Sequence, residues 1–384
     1  MMNSKLPETG TTIFAVMSNL AHEHNAINLS QGFPSFNPDQ ALLDLITHYL
    51  NNDGNQYAPM VGVPSLRKAI ADKVSMLYGR SVDPDTEVTV CDGATEGLFS
   101  AIQATVHRGD EVIVFDPAFD SYEPAVTLAG GKTVHIPLIE TADNPDYHID
   151  WDRLENSLNE RTRLLILNFP HNPSGAILEA EDLDRLAAIV RDTNVYLISD
   201  EVYEHIVFDG ADHQSFARHD ELWERSFVIS SFGKTYHATG WKVGYCVAPP
   251  ALTDEFRKIH QWVCYAVVSP IQYAIADYMV KTPEHYKALP AFYEEKRDRF
   301  CDLVSGSRFK FRPSKGTFFQ ILDYSDITDE DDASYAKRLT REIGVASIPI
   351  SVFCEKMPNV RELRFCFAKD DNMLEKAAER LCRL

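Results

Sequence analysis

Five segments carry residue types that could do chemistry together: DGATEG (92–97), DPAFDSY (116–122), NFPHNPSG (168–175), SDEVYE (199–204) and SSFGKTYHATGWKVG (230–244). Each begins at the end of a β-type run, and parallel sheets bind ligands beyond the carboxyl ends of their strands. Together they offer a glycine-bearing helix start, an aromatic ring, an amide, a carboxylate, a tyrosine and a lysine. A phosphorylated aromatic aldehyde would need that set. A helix start receives phosphate, a ring stacks on a ring, and an amine attacks a carbonyl carbon. Each residue alone has a plainer reading. A lysine at a strand end is commonly a solvated charge, Asp200 could cap a helix, and Asn172 beside Pro173 could simply form a turn.

The elements that must position these residues follow from the patterning. From about Val88 to Val268, short runs alternate with helical stretches: EVTVCD, EVIVFDP, KTVHIPL, RLLILNFP, NVYLISDE, SFVISSF and WKVGYCVA. That alternation predicts a mostly parallel sheet covered by helices. Between two of the runs, Leu183, Leu186, Ala187 and Val190 recur at helical spacing and predict a crossover helix. After a long helical stretch near His285 to Val304, the runs FKFRPSKGTFFQILDY, VASIPIS and ELRFCFA and the amphipathic DNMLEKAAERLCRL predict a smaller α+β domain. The first forty-odd residues lack a strand-helix repeat and are expected to pack on that domain. The expected division is an N-terminal arm over residues 1–45, a large domain over 46–280 and a small domain over 281–384.

Bulk properties narrow the function classes. Asp and Glu outnumber Lys and Arg by 57 to 37, and a net charge of -20 repels phosphate backbones and anionic lipid. Neither a nucleic-acid nor a membrane partner is expected. Without a basic-flanked apolar leader or a membrane-length apolar run, the chain is expected to be cytoplasmic. Its seven cysteines never stand in C-x-x-C spacing, so buried thiols are expected in place of disulfides or zinc ligands. Two GKT triplets, at Gly131 and Gly233, fail as phosphate-binding P-loops because the first glycine of the pattern falls on Val126 and Val228. No G-x-G-x-x-G, G-x-S-x-G or H-E-x-x-H occurs, and His22-Glu23-His24 reads as a solvated helix face, so no metal site is expected.

In this order the segments resemble the pyridoxal-phosphate-dependent aminotransferases of class I/II, fold type I, over essentially the whole chain. The resemblance rests on Asn172-Pro173-Ser174-Gly175, Asp200-x-x-Tyr203, Ser231-Phe-Gly-Lys234 with Gly240-Trp241-Lys242-Val243-Gly244, and Arg364 in ELRFCFA. Asn28-Leu29-Ser30-Gln31-Gly32-Phe33-Pro34 and Asn55-Gln56-Tyr57 look most like the bacterial methionine and kynurenine aminotransferase branch. The implied fold is α/β, a large domain with a mostly parallel sheet plus a smaller α+β domain. The implied cofactor is pyridoxal 5'-phosphate, carried by Lys234 as a Schiff base, with the freed amine later moving the substrate proton. Asp200 would pair with the pyridinium nitrogen, and Tyr203 and Asn172 would reach the phenolic oxygen. Phe119, in preference to Tyr122, would lie on the ring face.

The same resemblance assigns the phosphate to the amides of Ala94 and Thr95, with Ser231 and Lys242. Many relatives carry arginine at the Lys242 position, and lysine keeps the charge without the bidentate fork. Arg364 would hold the substrate α-carboxylate, helped by Asn172 and the Gly32 backbone. Tyr57 would cross to the partner's cofactor phosphate, making the active unit a homodimer with sites at the interface.

The expected reaction moves the amino group of methionine, with aromatic amino acids as secondary donors, to a 2-oxo acid. A cysteine-S-conjugate β-lyase and a kynurenine- or glutamine-type aminotransferase are the alternatives, since the same groups can eliminate a β-leaving group. The segment Thr12 to Met17 either lines an apolar substrate pocket, with Phe14 on its wall, or packs as an ordinary amphipathic helix. Tyr265 and Tyr57 are further candidates for contact with a thioether. No arginine stands in register for a second substrate carboxylate.

Overall fold

Thr12 ends its extended backbone by accepting a hydrogen bond from the Ala15 amide, which caps the first helix, Ile13–Glu23. The chain then makes a two-residue strand, β1 (Ile27–Asn28). The computed structural model describes residues 3–7, 9–52, 54–356 and 360–384.

All seven runs predicted as strands form one sheet: β2 (Val88–Cys91), β3 (Glu111–Asp116), β4 (Lys132–Pro137), β5 (Thr162–Asn168), β6 (Tyr196–Asp200), β7 (Ser226–Ser231) and β8 (Gly244–Val247). Their order is β2-β8-β7-β6-β5-β3-β4. Every pairing is parallel except those of β8, which runs against both of its neighbours. Helices cover both faces, which is why β2 and β3 are buried throughout and are rich in valine and isoleucine. The crossover helix predicted from Leu183 to Val190 spans Ala180–Val190, with those four apolar residues buried.

A second cluster of buried apolar side chains lies beyond the sheet. It surrounds β9 (Phe319–Asp323), β10 (Val345–Ala346), β11 (Ile348–Pro349) and β12 (Glu362–Cys366), of which β11, β12 and β9 form an antiparallel sheet. The long helix Glu284–Val304 and the last helix, Asp371–Leu381, cover it. β1 pairs with β10 in parallel, Ile27 opposite Val345, so the N-terminal segment is stitched into this unit by main-chain hydrogen bonds. Met17, Leu20 and Leu29 join the same cluster, and Met17 is wholly buried. Burying one such side chain contributes about 1.5–3 kcal/mol.

All seven cysteines are free. Cys91, Cys246, Cys301 and Cys366 are buried, whereas Cys264 and Cys354 are half-buried and Cys382 is exposed. Expectation and structure therefore differ for three thiols, which lie on element ends where packing is one-sided. Among the described residues, no helix is long and apolar enough to cross a membrane.

Candidate active site

The strand ends converge as the register dictates. Asn168 pairs with Asp200 across β5 and β6, and Gly244 lies between Cys91 and Ser231. The turn after β2 and the lysine-bearing helix after β7 thus open onto one cavity of about 420 Å³. Its wall brings together Gly32, Ala94, Thr95, Phe119, Asn172, Asp200, Tyr203, Ser231, Lys234, Lys242 and Arg364, joined by Phe14 from the first helix. Of the Thr12–Met17 segment, Phe14 lines the cavity and also packs against the second apolar cluster, in which Met17, three residues on along the same helix face, is buried.

Lys234 lies in the single turn Phe232–Thr235. Its Nζ donates to the Gly32 carbonyl at 3.1 Å. Burial, with Arg364 and Lys242 nearby, lowers its ammonium to about 8. Roughly a tenth of this amine is therefore neutral and nucleophilic at pH 7, far more than for a solvated lysine.

Asp200 ends β6 with its carboxylate accepting from the Tyr122 hydroxyl at 2.6 Å. Burial pushes its carboxyl up to about 6, and the Tyr122 donor opposes that rise. Burial likewise raises the Tyr203 phenol. The Asn168 side chain donates to the Asp200 carbonyl and accepts from the Asn172 amide, both at 3.0 Å, so one amide sets the spacing of two site residues.

Neither the Tyr122 hydroxyl nor Asn168 was given a role from sequence. For Asn168 a signal existed, its place at the end of a strand beside Asp200. Tyr122 was weighed only as a stacking ring; Phe119 lines the cavity, with its ring 5.8 Å from that of Tyr122.

The helix Gly93–Thr105 starts at the cavity, and the Asp92 side chain makes no capping hydrogen bond there. Gly93 has φ +69°, and a Cβ on it would meet Lys242 Cε at 3.1 Å. Only glycine permits both the turn and the approach of that ammonium to the helix start. Open amides, a helix dipole and a lysine together make an anion cradle.

Arg364 is 1% exposed. It donates to Asn172 Oδ1 at 2.7 Å and to the Ser30 carbonyl at 2.9 Å, with its guanidinium 3.9 Å from the Phe319 ring centre. Burial lowers it to about 10, and its Nε is buried without a hydrogen-bond partner. An orphaned donor on a buried guanidinium is what an incoming carboxylate would satisfy. Cradle, buried lysine, carboxylate and flat aromatic wall match the four parts of pyridoxal phosphate, so the residues present fit that group.

Two expected contacts lie elsewhere in this chain. Tyr57 is 83% exposed and packs its ring edge-on against Tyr265, itself 60% exposed, and neither lines the cavity. Glu96, His260 and Cys264 bring potential ligand atoms within 4.8 Å of one another. Both His260 ring nitrogens are engaged, Nδ1 with Glu96 at 2.9 Å and Nε2 with the Met60 carbonyl at 3.1 Å. This cluster ties the cradle helix to the segment after Tyr57.

The family of aminotransferases of class I and II matches residues 24–381. The methionine aminotransferase of Escherichia coli (strain K12) is 49% identical over 381 residues, covering 99% of this chain and 98% of that one. The kynurenine–oxoglutarate transaminase of Dictyostelium discoideum is 35% identical over 410 residues, covering 98% and 94%. Among solved structures, YbdL from Escherichia coli, whose reactivity identifies a methionine aminotransferase function, superimposes with a TM-score of 0.97 at 48% identity over 100% of both chains. With this site on this fold, the chain belongs to the class I and II aminotransferases and is a pyridoxal-phosphate-dependent enzyme of fold type I.

Proposed function

We propose that the enzyme moves the α-amino group of methionine, and of aromatic amino acids as secondary donors, to a 2-oxo acid. The observation that carries this reading is the 49% identity to a methionine aminotransferase along nearly the full length of both chains. The cavity supports it: the rings of Phe14 and Phe319 lie against the Arg364 guanidinium, and Phe119 adds a third aromatic side chain to the wall. A thioether gains from apolar burial and from sulfur–aromatic contact. The kynurenine transaminase relative adds kynurenine, another aromatic amino acid, to the donors worth assaying.

Pyridoxal phosphate, when bound, supplies a ring that accepts the electron pair left behind when the substrate α-proton departs. In this reading Lys234 Nζ holds the cofactor and, once released by substrate, takes that proton from the α-carbon. Asp200 keeps the ring nitrogen protonated, Tyr203 and Asn172 donate to the phenolic oxygen, and Phe119 covers the ring face. Ala94, Thr95, Ser231 and Lys242 hold the phosphate. Arg364, with Asn172 and Gly32, orients the α-carboxylate. Tyr57 acts in the partner's site of a cytoplasmic homodimer, each chain divided into an arm (1–45), a cofactor domain (46–280) and a small domain (281–384).

The test is a panel of initial rates with single amino acids and one shared 2-oxo acid. Methionine should have the highest kcat/KM, followed by phenylalanine, tyrosine and kynurenine. A higher kcat/KM for aspartate or glutamate would overturn the substrate reading.

A further inference from the structure

Asp120 lines the same cavity, yet none of the roles above uses it. It is half-buried in the turn after β3. That turn is pinned on both sides: the Ala118 amide donates to the Phe353 carbonyl at 2.6 Å, and the Tyr122 hydroxyl donates to Asp200 at 2.6 Å. The direct hydrogen-bond partners of Arg364 are neutral oxygens, of Asn172 and Ser30. Asp120 shares the cavity wall with that guanidinium and is a carboxylate that favours its charged form. Burial raises the Asp120 carboxyl, and Arg364 opposes this by favouring the ionised form. Among the described residues, the lysines and arginines on the cavity wall are Lys234, Lys242 and Arg364, each already matched to cofactor or α-carboxylate.

We propose that Asp120 is a specificity-determining residue, a fixed negative charge that turns away side-chain carboxylates, so that the 2-oxo acid acceptor, like the donor, has an uncharged side chain. The inference rests on the substrate reading given above and extends it to the acceptor. Every substrate brings an α-carboxylate, which Arg364 neutralises, so the effect of Asp120 on that group is common to all and cancels in ratios. A second carboxylate has no such partner. Like charges within one cavity repel at an effective dielectric near 20, an effect that partial solvation of the half-buried Asp120 reduces to roughly ten-fold discrimination.

The experiment compares wild-type holoenzyme with Asp120→Asn and Asp120→Glu. It measures kcat/KM for glutamate against phenylalanine as donors and for 2-oxoglutarate against phenylpyruvate as acceptors. Asp120→Asn should raise both dicarboxylate-to-monocarboxylate ratios about ten-fold, while Asp120→Glu keeps them near the wild-type values. Dissociation constants of succinate and 3-phenylpropionate, read from the cofactor absorption, should shift in the same sense. In the wild type alone, glutamine should outperform glutamate, which has the same shape and one more charge. An unchanged ratio in Asp120→Asn, equal changes in both variants, or wild-type preference for glutamate over glutamine would overturn the proposal. Failure of methionine as a donor would refute the substrate reading while leaving these phenylalanine-based ratios measurable.

Discussion

Replacing Tyr122 with phenylalanine removes one hydroxyl and nothing else from the wall behind Asp200. That hydroxyl donates to a fully enclosed carboxylate at 2.6 Å, and burial already holds the carboxyl up at about 6. A hydrogen bond to a charged group is worth about 1.5–3 kcal/mol net. At about 1.4 kcal/mol per pH unit, its loss should raise Asp200 by roughly one to two units. An acid whose folded value exceeds its ordinary value of 3.8 contributes most to stability below that value, and the contribution falls as pH rises to about 6. In Tyr122→Phe that decline should extend one to two units further. At pH 7 the ionised fraction of Asp200 should drop from about nine-tenths to between a half and a tenth. Pairing with a protonated ring nitrogen needs the ionised form, so apoenzyme affinity for pyridoxal phosphate should fall about two- to ten-fold at pH 7 and return to the wild-type value by pH 9. The assay titrates wild-type and Tyr122→Phe apoenzyme with cofactor between pH 5.5 and 9. A uniform loss at every pH, or none, would show that Tyr122 only packs.

Two further perturbations follow from the same geometry. Arg364→Ala should cost roughly 2–5 kcal/mol in the binding of amino acids, read as kcat/KM, while amines lacking a carboxylate lose far less; equal losses would make Arg364 structural. Mixing refolded Lys234→Ala and Tyr57→Ala subunits should restore one complete site per heterodimer, and activity no higher than that of either parent would place Tyr57 outside the partner's site.

The large sheet was legible because its strands are buried on both faces and read as continuous aliphatic runs, from Val88 in β2 to Val247 in β8. Its strand-end residues followed, since Asp200, Ser231 and Asn172 stand where those runs stop. The pairing of β1 with β10 was not legible in register: two residues carry no periodicity, and their partner lies more than 300 positions away. Tyr122 was visible as an aromatic, but its hydroxyl bond to Asp200, 78 positions away at the end of β6, is a tertiary contact that no local spacing encodes. The Gln31 side chain, which donates to the Phe14 carbonyl at 3.0 Å and so fixes the helix that carries Phe14, likewise depends on a contact no local spacing encodes.

The central claim is that Lys234 carries the cofactor in a site built for amino acids. Borohydride reduction of the purified holoenzyme, followed by mass mapping of its peptides, tests it most directly. The pyridoxyl group should be found on the peptide containing Lys234 and nowhere else, and prior incubation with methionine, which releases that lysine, should abolish the label. A label on another lysine, or one that methionine leaves unchanged, would contradict the account.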